Sequence, residues 1–189
     1  RRAAEAGARA TLAADEALLR GVICGALYPN LAVAERQHAR NGSYEQLTVG
    51  GEQAWFHPSS VNASPERAEP GLFVFVDKVF TSRLFLRGTT RVPPAALLLF
   101  GASPSEIDVE RVKQCGRVDL RSGARVRLSP EAALLLTVLR RELDRCLTRH
   151  ARAGRLSLPL EPEAGHAAAG LGSASRAVVD AARALLARH

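Results

Sequence analysis

With 189 residues, 47% of them hydrophobic, the chain has enough apolar material for one good core, or one core with an appended helical piece, which excludes disorder throughout. The formal net charge of +7 favours an acidic partner such as nucleic acid or an anionic surface. Arginine supplies nearly all of that charge, Lys78 and Lys113 being the two lysines, and a GC-rich genome would leave the same bias.

No apolar run reaches the roughly 18 residues that would mark a membrane span, so no membrane partner is expected, and no signal peptide is visible. Cys24, Cys115 and Cys146 lie far apart, with no CxxC and no clustered histidine, and read as reduced, mostly buried thiols of an intracellular protein. Methionine is absent and the chain opens on Arg1-Arg2, as expected of a piece of a longer protein.

From about Leu12 to Leu27 apolar residues recur at near-helical spacing, and Tyr28-Pro29-Asn30 ends the helix because proline disfavours helical geometry in the residue before it. The pattern then changes to short alternating runs. LAVAERQH (31–38), SYEQLTV (43–49) beyond Asn41-Gly42, and QAWFH (53–57) beyond Gly50-Gly51 predict three strands joined by tight turns. After a loop from Ala63 to Gly71, LFVFVDKVF (72–80) and LFLRGTTR (84–91) flank Thr81-Ser82-Arg83 as a hairpin. Five strands in about sixty residues are too few for a sandwich and point to a small, partly closed barrel of the OB type.

Pro93-Pro94 opens a continuous apolar run, VPPAALLLFG, that is either a buried strand or a short helix, the prolines favouring a helix. RVDL (117–120) and ARVRLS (124–129) predict a second hairpin, and Ser129-Pro130-Glu131 starts a helix that runs to about His150. Its expected apolar face is Ala132, Leu135, Leu136, Leu139, Leu143, Cys146 and Leu147. Ala153 to Ser173 reads as a linker, and Ser175 to His189 as an amphipathic segment whose stripe (Val178, Val179, Ala182, Leu185, Leu186) needs the domain or a partner to cover it.

The fold class that results is mainly β with flanking helices (α+β): a five-stranded OB-type barrel preceded by a helix and followed by a hairpin and a long helix. The expected divisions are 1–29 for the end of a preceding helical domain and 30–101 for the barrel. Residues 102–152 form the hairpin and helix extension, and 153–189 the linker and short helix.

Within WFHPSSVN (55–62), His57 beside Ser59 and Ser60 invites a hydrolase reading, but no third residue to orient the histidine and no GxSxG elbow accompanies it. No P-loop, GxGxxG or HExxH is present, so no catalytic residue, cofactor site or metal site is expected in this piece. An OB barrel instead binds single strands through cations, stacking side chains and hydroxyl or amide donors. Lys78, Thr81, Ser82 and Arg83 are candidate phosphate donors on one hairpin, against the alternative of a solvated turn. Tyr28, Trp55 and Phe56 are candidates for stacking, against a core role.

The ordered series ICGALYPNLA (23–32), WFHPSSVN (55–62), FVFVDKVFTSRLFLRGTTRV (73–92), ALLLFG (96–101) and LRRELD (139–144) resembles the C-terminal region of DEAH/DExH-box RNA helicases over about residues 16 to 150. Its LLLFG and LRRELD ends are more similar to the branch with G-quadruplex and double-strand-unwinding members than to the spliceosomal branch. The resemblance implies a parent protein that translocates on RNA with ATP and Mg in two RecA-like domains, which lie outside this sequence. It further implies an OB fold that packs on the RecA-like and ratchet domains, touches single-stranded RNA, and in some members receives G-patch cofactors. Matched position by position, His57, Ser59, Ser60 and Asn62, with Lys78, Thr81, Ser82 and Arg83, would face the RNA channel, and Asn30 would fix the turn before the barrel. The hairpin 117–128 departs from the family pattern: related helicases carry a tryptophan there, and Arg121 and Arg125 leave its packing open.

Overall fold

The computed structural model describes residues 16–39, 42–63, 70–152 and 173–186. Helix α1 (16–27) ends at the cis Tyr28–Pro29 peptide, and the chain enters strand β1 (Leu31–Ala39). Strands β2 (Gly42–Val49) and β3 (Glu52–Phe56) follow as an antiparallel meander, Ala34 opposite Leu47 and Leu47 opposite Ala54. Gly50 and Gly51, at φ 59° and 90°, make the β2–β3 turn in a backbone region that side chains resist. Asn41 and residues 153–172 of the linker expected over 153–173 lie outside the described residues, and Ser173 already belongs to the last helix.

The run 72–80 does not stay one strand. It divides into β4 (Gly71–Val74) and β5 (Asp77–Phe80), and its partner divides into β6 (Leu84–Arg87) and β7 (Thr90–Val92). The break falls at Gly88, whose φ is 59° and where a Cβ would lie 2.7 Å from the Val76 side chain. Lys78 still faces Leu86, and Leu72 still faces Val92, so one hairpin register survives the bend. The bend lets β4 join β1 while β6 joins β3 in parallel. The sheet therefore has seven strands in the order β5-β6-β3-β2-β1-β4-β7 and is not closed by its ladders, where the sequence leads one to expect five strands. The fold is mainly β with flanking helices, as expected.

VPPAALLLFG is helical. Helix α2 begins at Pro94 and continues as a π-helical turn over Leu97–Gly101, with residues 95–99 all buried. A capping box of Ser103 and Glu106 then sets a short turn at Pro104–Glu106. Helix α3 (Val109–Cys115) is not among the elements expected, although its end signals are in the sequence: Asp108 accepts hydrogen bonds from the Glu110 and Arg111 amides, and Gly116 closes it at φ 66°.

The hairpin β8 (Arg117–Asp119) and β9 (Arg125–Arg127) packs through Val118 and Val126, and its arginines turn outward, Arg117 and Arg125 converging with Arg111 on Asp119. Helix α4 (Pro130–Arg152) is capped by Ser129, whose hydroxyl accepts from the Ala132 amide. Of the stripe expected, Leu136 and Leu143 are buried and Leu139 packs on the core; Ala133 joins them, whereas Leu135 and Leu147 are 68% and 61% exposed. The heptad-like run of leucines admits two faces by spacing alone, and contact with α2 and α3 selects one. Helix α5 (Ser173–Leu186) is covered by the domain itself, Leu186 packing on Ala95 and Ala96.

Two cores result. One gathers β1, β4 and β7 with α1 to α5 and the β8–β9 hairpin; the other lies under β3 and β6 around Phe73, Phe75 and Leu86. Cys24 sits in the first, and burial pushes its thiol up to about 12, whereas Cys115 is exposed, contrary to expectation, with its thiol near the Arg111 and Arg117 carbonyl oxygens. No helix among the described residues is long and apolar enough to cross a membrane.

Candidate nucleic-acid interface

Side chains alternate along a strand, so the register assigns each residue of the bent hairpin to one face. Trp55 stands opposite Phe85, and Phe85 opposite Val79; Phe56 stands opposite Leu86, and Leu86 opposite Lys78. Leu86 is fully buried and Phe56 packs edge-on against Phe73 at 5.0 Å, which makes theirs the core face. Trp55 and Phe85 are therefore on the outer face, half-buried.

That outer face carries a continuous strip. The Arg83 guanidinium lies over the Trp55 ring, 5.0 Å from its centroid, a cation–π stack. His57 meets the Phe85 ring edge-on at 6.0 Å, and Arg87 Nη2 is 3.3 Å from His57 Nε2. A guanidinium only donates, so Nε2 faces a donor in Arg87, while Nδ1 accepts from the Ser59 amide at 3.2 Å and is 2.7 Å from Ser59 Oγ. The strip thus alternates flat faces with cations along the β3–β6 seam, open to solvent at Arg83 and Arg87.

The end of this strip is braced by a polar knot. Ser60 Oγ is 3.0 Å from Thr89 Oγ1, and Asn62 Nδ2 donates to both Thr89 O and Thr89 Oγ1 at 3.0 and 2.8 Å. The loop after β3 is in this way tied to the Gly88 bend. A shallow hollow opens between them, lined by His57, Ser59, Ser60 and Arg87.

Residues 19–103 match the oligonucleotide/oligosaccharide-binding (OB)-fold family, a span that contains the whole strip. The chain is similar to the DExH-box ATP-dependent RNA helicase DExH1 of Arabidopsis thaliana, 32% identical over 89 residues, or 47% of this chain and 9% of the relative. It is 30% identical to DExH3 of the same plant over 134 residues, or 70% of this chain and 10% of the relative. Similarity to the ATP-dependent DNA/RNA helicase DHX36 of Bos taurus is 28% over 134 residues, 69% of this chain and 13% of the relative. The matched segment is similar to an OB-fold region and to part of DExH-box RNA helicases. The chain spans about a tenth of the length of these relatives.

In this OB region the residues singled out from the sequence fall into three groups. Arg83, His57 and Ser59 belong to the strip. Ser60 and Asn62 spend their hydrogen bonds on Thr89, inside the knot. Lys78 is on the opposite face of the hairpin, its ammonium 5.5 Å from the Phe75 ring, while Thr81 and Ser82 sit exposed at the tip. The compact set Lys78, Thr81, Ser82 and Arg83 is therefore split by strand alternation, a signal that was available from period-two counting once the hairpin register was known.

Of the stacking candidates, Trp55 is on the strip, Phe56 is turned to the core, and Tyr28 donates to Glu106 Oε1 at 2.8 Å; burial and that carboxylate push its hydroxyl up to about 12. Asn30 uses its backbone at the turn, its carbonyl accepting from the Phe75 amide at 3.2 Å. Phe85 and Arg87 were not anticipated, because only the parallel β3–β6 pairing places them beside Trp55 and His57. Among the described residues no group of three His, Cys, Asp or Glu could hold a metal ion.

Proposed function

We propose that this OB region is the RNA-binding accessory part of a DExH-box-type helicase, holding a single strand across Trp55 and Phe85 with Arg83, Arg87 and His57 toward its backbone. The observation that carries the reading is the Arg83–Trp55 stack beside Phe85: a flat platform with a cation attached accepts any base and neutralises its phosphate. The names of the relatives support RNA as the strand, and the parent's ATP-driven movement belongs to RecA-like domains outside this sequence. In this reading β4–β5 and β6–β7 act as two bent strands of a five-stranded barrel, and the protein works inside the cell. Ser60 and Asn62 shape the loop, and Ser59 and the hairpin tip reach the backbone.

The test is titration of a labelled single-stranded oligoribonucleotide with the intact chain. Trp55→Ala removes one stacking surface and is expected to weaken binding about 10-fold or more, since base–aromatic stacking contributes roughly 1–3 kcal/mol. Arg83→Ala is expected to weaken it and flatten its salt dependence. Unchanged affinity at low salt in both variants would sink direct RNA contact through this face.

A second reading, docking on the helicase core or a G-patch-type cofactor, is favoured by Phe80, 79% exposed at the hairpin tip, and by Leu19 and Val22 on α1. In that case Phe80→Ser abolishes association with the core and leaves the effect of Trp55→Ala on RNA absent.

A further inference from the structure

Outside the OB match, a groove of about 700 Å³ runs between α4 and the Pro104–Ile107 turn. Its lining includes Arg140, Arg141, Arg145, Arg149 and Arg152, with Asp144 as the one acidic residue among those that line it. Arg141, Arg145 and Arg149 follow one another at four-residue steps and Arg152 comes three later, so they form a single stripe, successive guanidinium stems about 6 Å apart along the axis.

Acids of the fold neutralise only part of this charge. Arg145 pairs with Glu142, and Arg140 donates from Nη1 to the Leu98 carbonyl oxygen at 3.1 Å. Arg141, Arg149 and Arg152 have no ion pair among the described residues, and the Nε of Arg140 is buried without a hydrogen-bond acceptor. Like charges at four-residue spacing destabilise a helix, and only the last turn, with Arg149 and Arg152, gains anything from the helix dipole. Of the mid-helix arginines, Arg145 is offset by Glu142 and Arg140 by the nearby Asp144 and Glu106 charges, whereas Arg141 has no ion pair among the described residues.

We propose that this arginine groove is a second, sequence-independent RNA site that takes the phosphate backbone. A rigid rod with evenly spaced guanidinium groups matches a polymer with evenly spaced anions, and each guanidinium can hold a phosphate through two hydrogen bonds. The groove lining holds no aromatic residue, so it grips backbone without stacking bases, the complement of the Trp55–Phe85 strip. The site shares its ligand class with the proposed function but none of its residues, and it extends the track of a strand beyond the OB region onto α4.

The experiment is the salt dependence of binding by the intact chain to labelled oligouridylate. For the triple variant Arg141→Gln, Arg149→Gln, Arg152→Gln, the slope of log K against log salt is expected to fall by about 2, from about 0.7 per lost single-strand phosphate contact. Trp55→Ala should lower affinity with the slope kept. Should the triple variant fail to keep its circular dichroism, Arg149→Gln alone is expected to lose about 0.7 of slope, and a triple Arg→Lys variant to retain most of it. An unchanged slope in the folded triple variant overturns the groove site while leaving the aromatic strip standing. Loss of slope in the triple variant with no effect of Trp55→Ala supports the groove and sinks the strip. If polyglutamate displaces the label from the groove as well as unlabelled RNA does, the groove is a protein-docking surface and the proposal is wrong.

Discussion

Glu106 shows how one side chain joins distant parts of the chain. Its carboxylate accepts from the Tyr28 hydroxyl, the Ser103 amide and the Arg121 amide, so that α1, the capping turn and the β8–β9 hairpin meet on it. Burial alone would raise its pKa, but the Arg121 and Ser103 amides, the Tyr28 hydroxyl and the Arg121 charge outweigh burial and hold it below the ordinary 4.5. A depressed folded pKa stabilises fully above the unfolded value and loses that contribution as pH falls through the folded one. Denaturant melts at a series of pH values should therefore show a decline below about pH 4.5 that is reduced in Glu106→Gln, with the two proteins converging in acid. Parallel pH profiles would refute the role. The sequence displayed Ser103 and Glu106 at capping-box spacing, but nothing local marked Tyr28 as a partner, because the two are separated by 78 residues.

At the level of elements, α1 crosses α2 closely because it presents glycine where Phe100 arrives. A Cβ on Gly21 would lie 2.7 Å from the Phe100 ring, and one on Gly25 would lie 3.1 Å from the Phe100 carbonyl oxygen. Alanine gains up to about 1 kcal/mol of helix propensity over glycine, whereas overpacking costs roughly 1–3 kcal/mol. Packing wins, so Gly21→Ala is expected to lower the melting temperature; a rise would mean that Phe100 swings aside freely. The period of the apolar residues, the Asn30 boundary and the proline at the start of α2 made these elements legible. The bend at Gly88 was less so, because a glycine within a strand-like run marks a bulge, a bend or nothing until its neighbours are known. The same holds for the apolar face of α4, where adjacent leucines leave the choice to contact.

For the whole molecule, the first core runs from Cys24 in α1 to Ala182 in α5, so the terminal helix is part of the same packed unit as the sheet. Leu186, 2% exposed, closes the seam between α5 and α2. Truncation of a buried leucine costs about 2–5 kcal/mol, and Leu186→Ala is expected to destabilise the whole chain in one cooperative transition. A separate early transition would show instead that α5 opens independently. Two of the places where positive charge gathers, the aromatic strip and the α4 groove, lie with different cores; the titrations above distinguish them.

The sequence by itself determined the class of the fold, most of its helices and strand runs and the family resemblance, though not α3 or the division of the two bent strands, since alternation, helical spacing and turn residues act within a few positions. Only the tertiary structure decided which cations stand beside which rings. That outcome follows from one bend and one parallel pairing, β3 with β6, which turn Arg83 onto Trp55 and Lys78 away from it. Residues far apart in sequence meet through register, and a shift of one residue in register would send each of them to the other face.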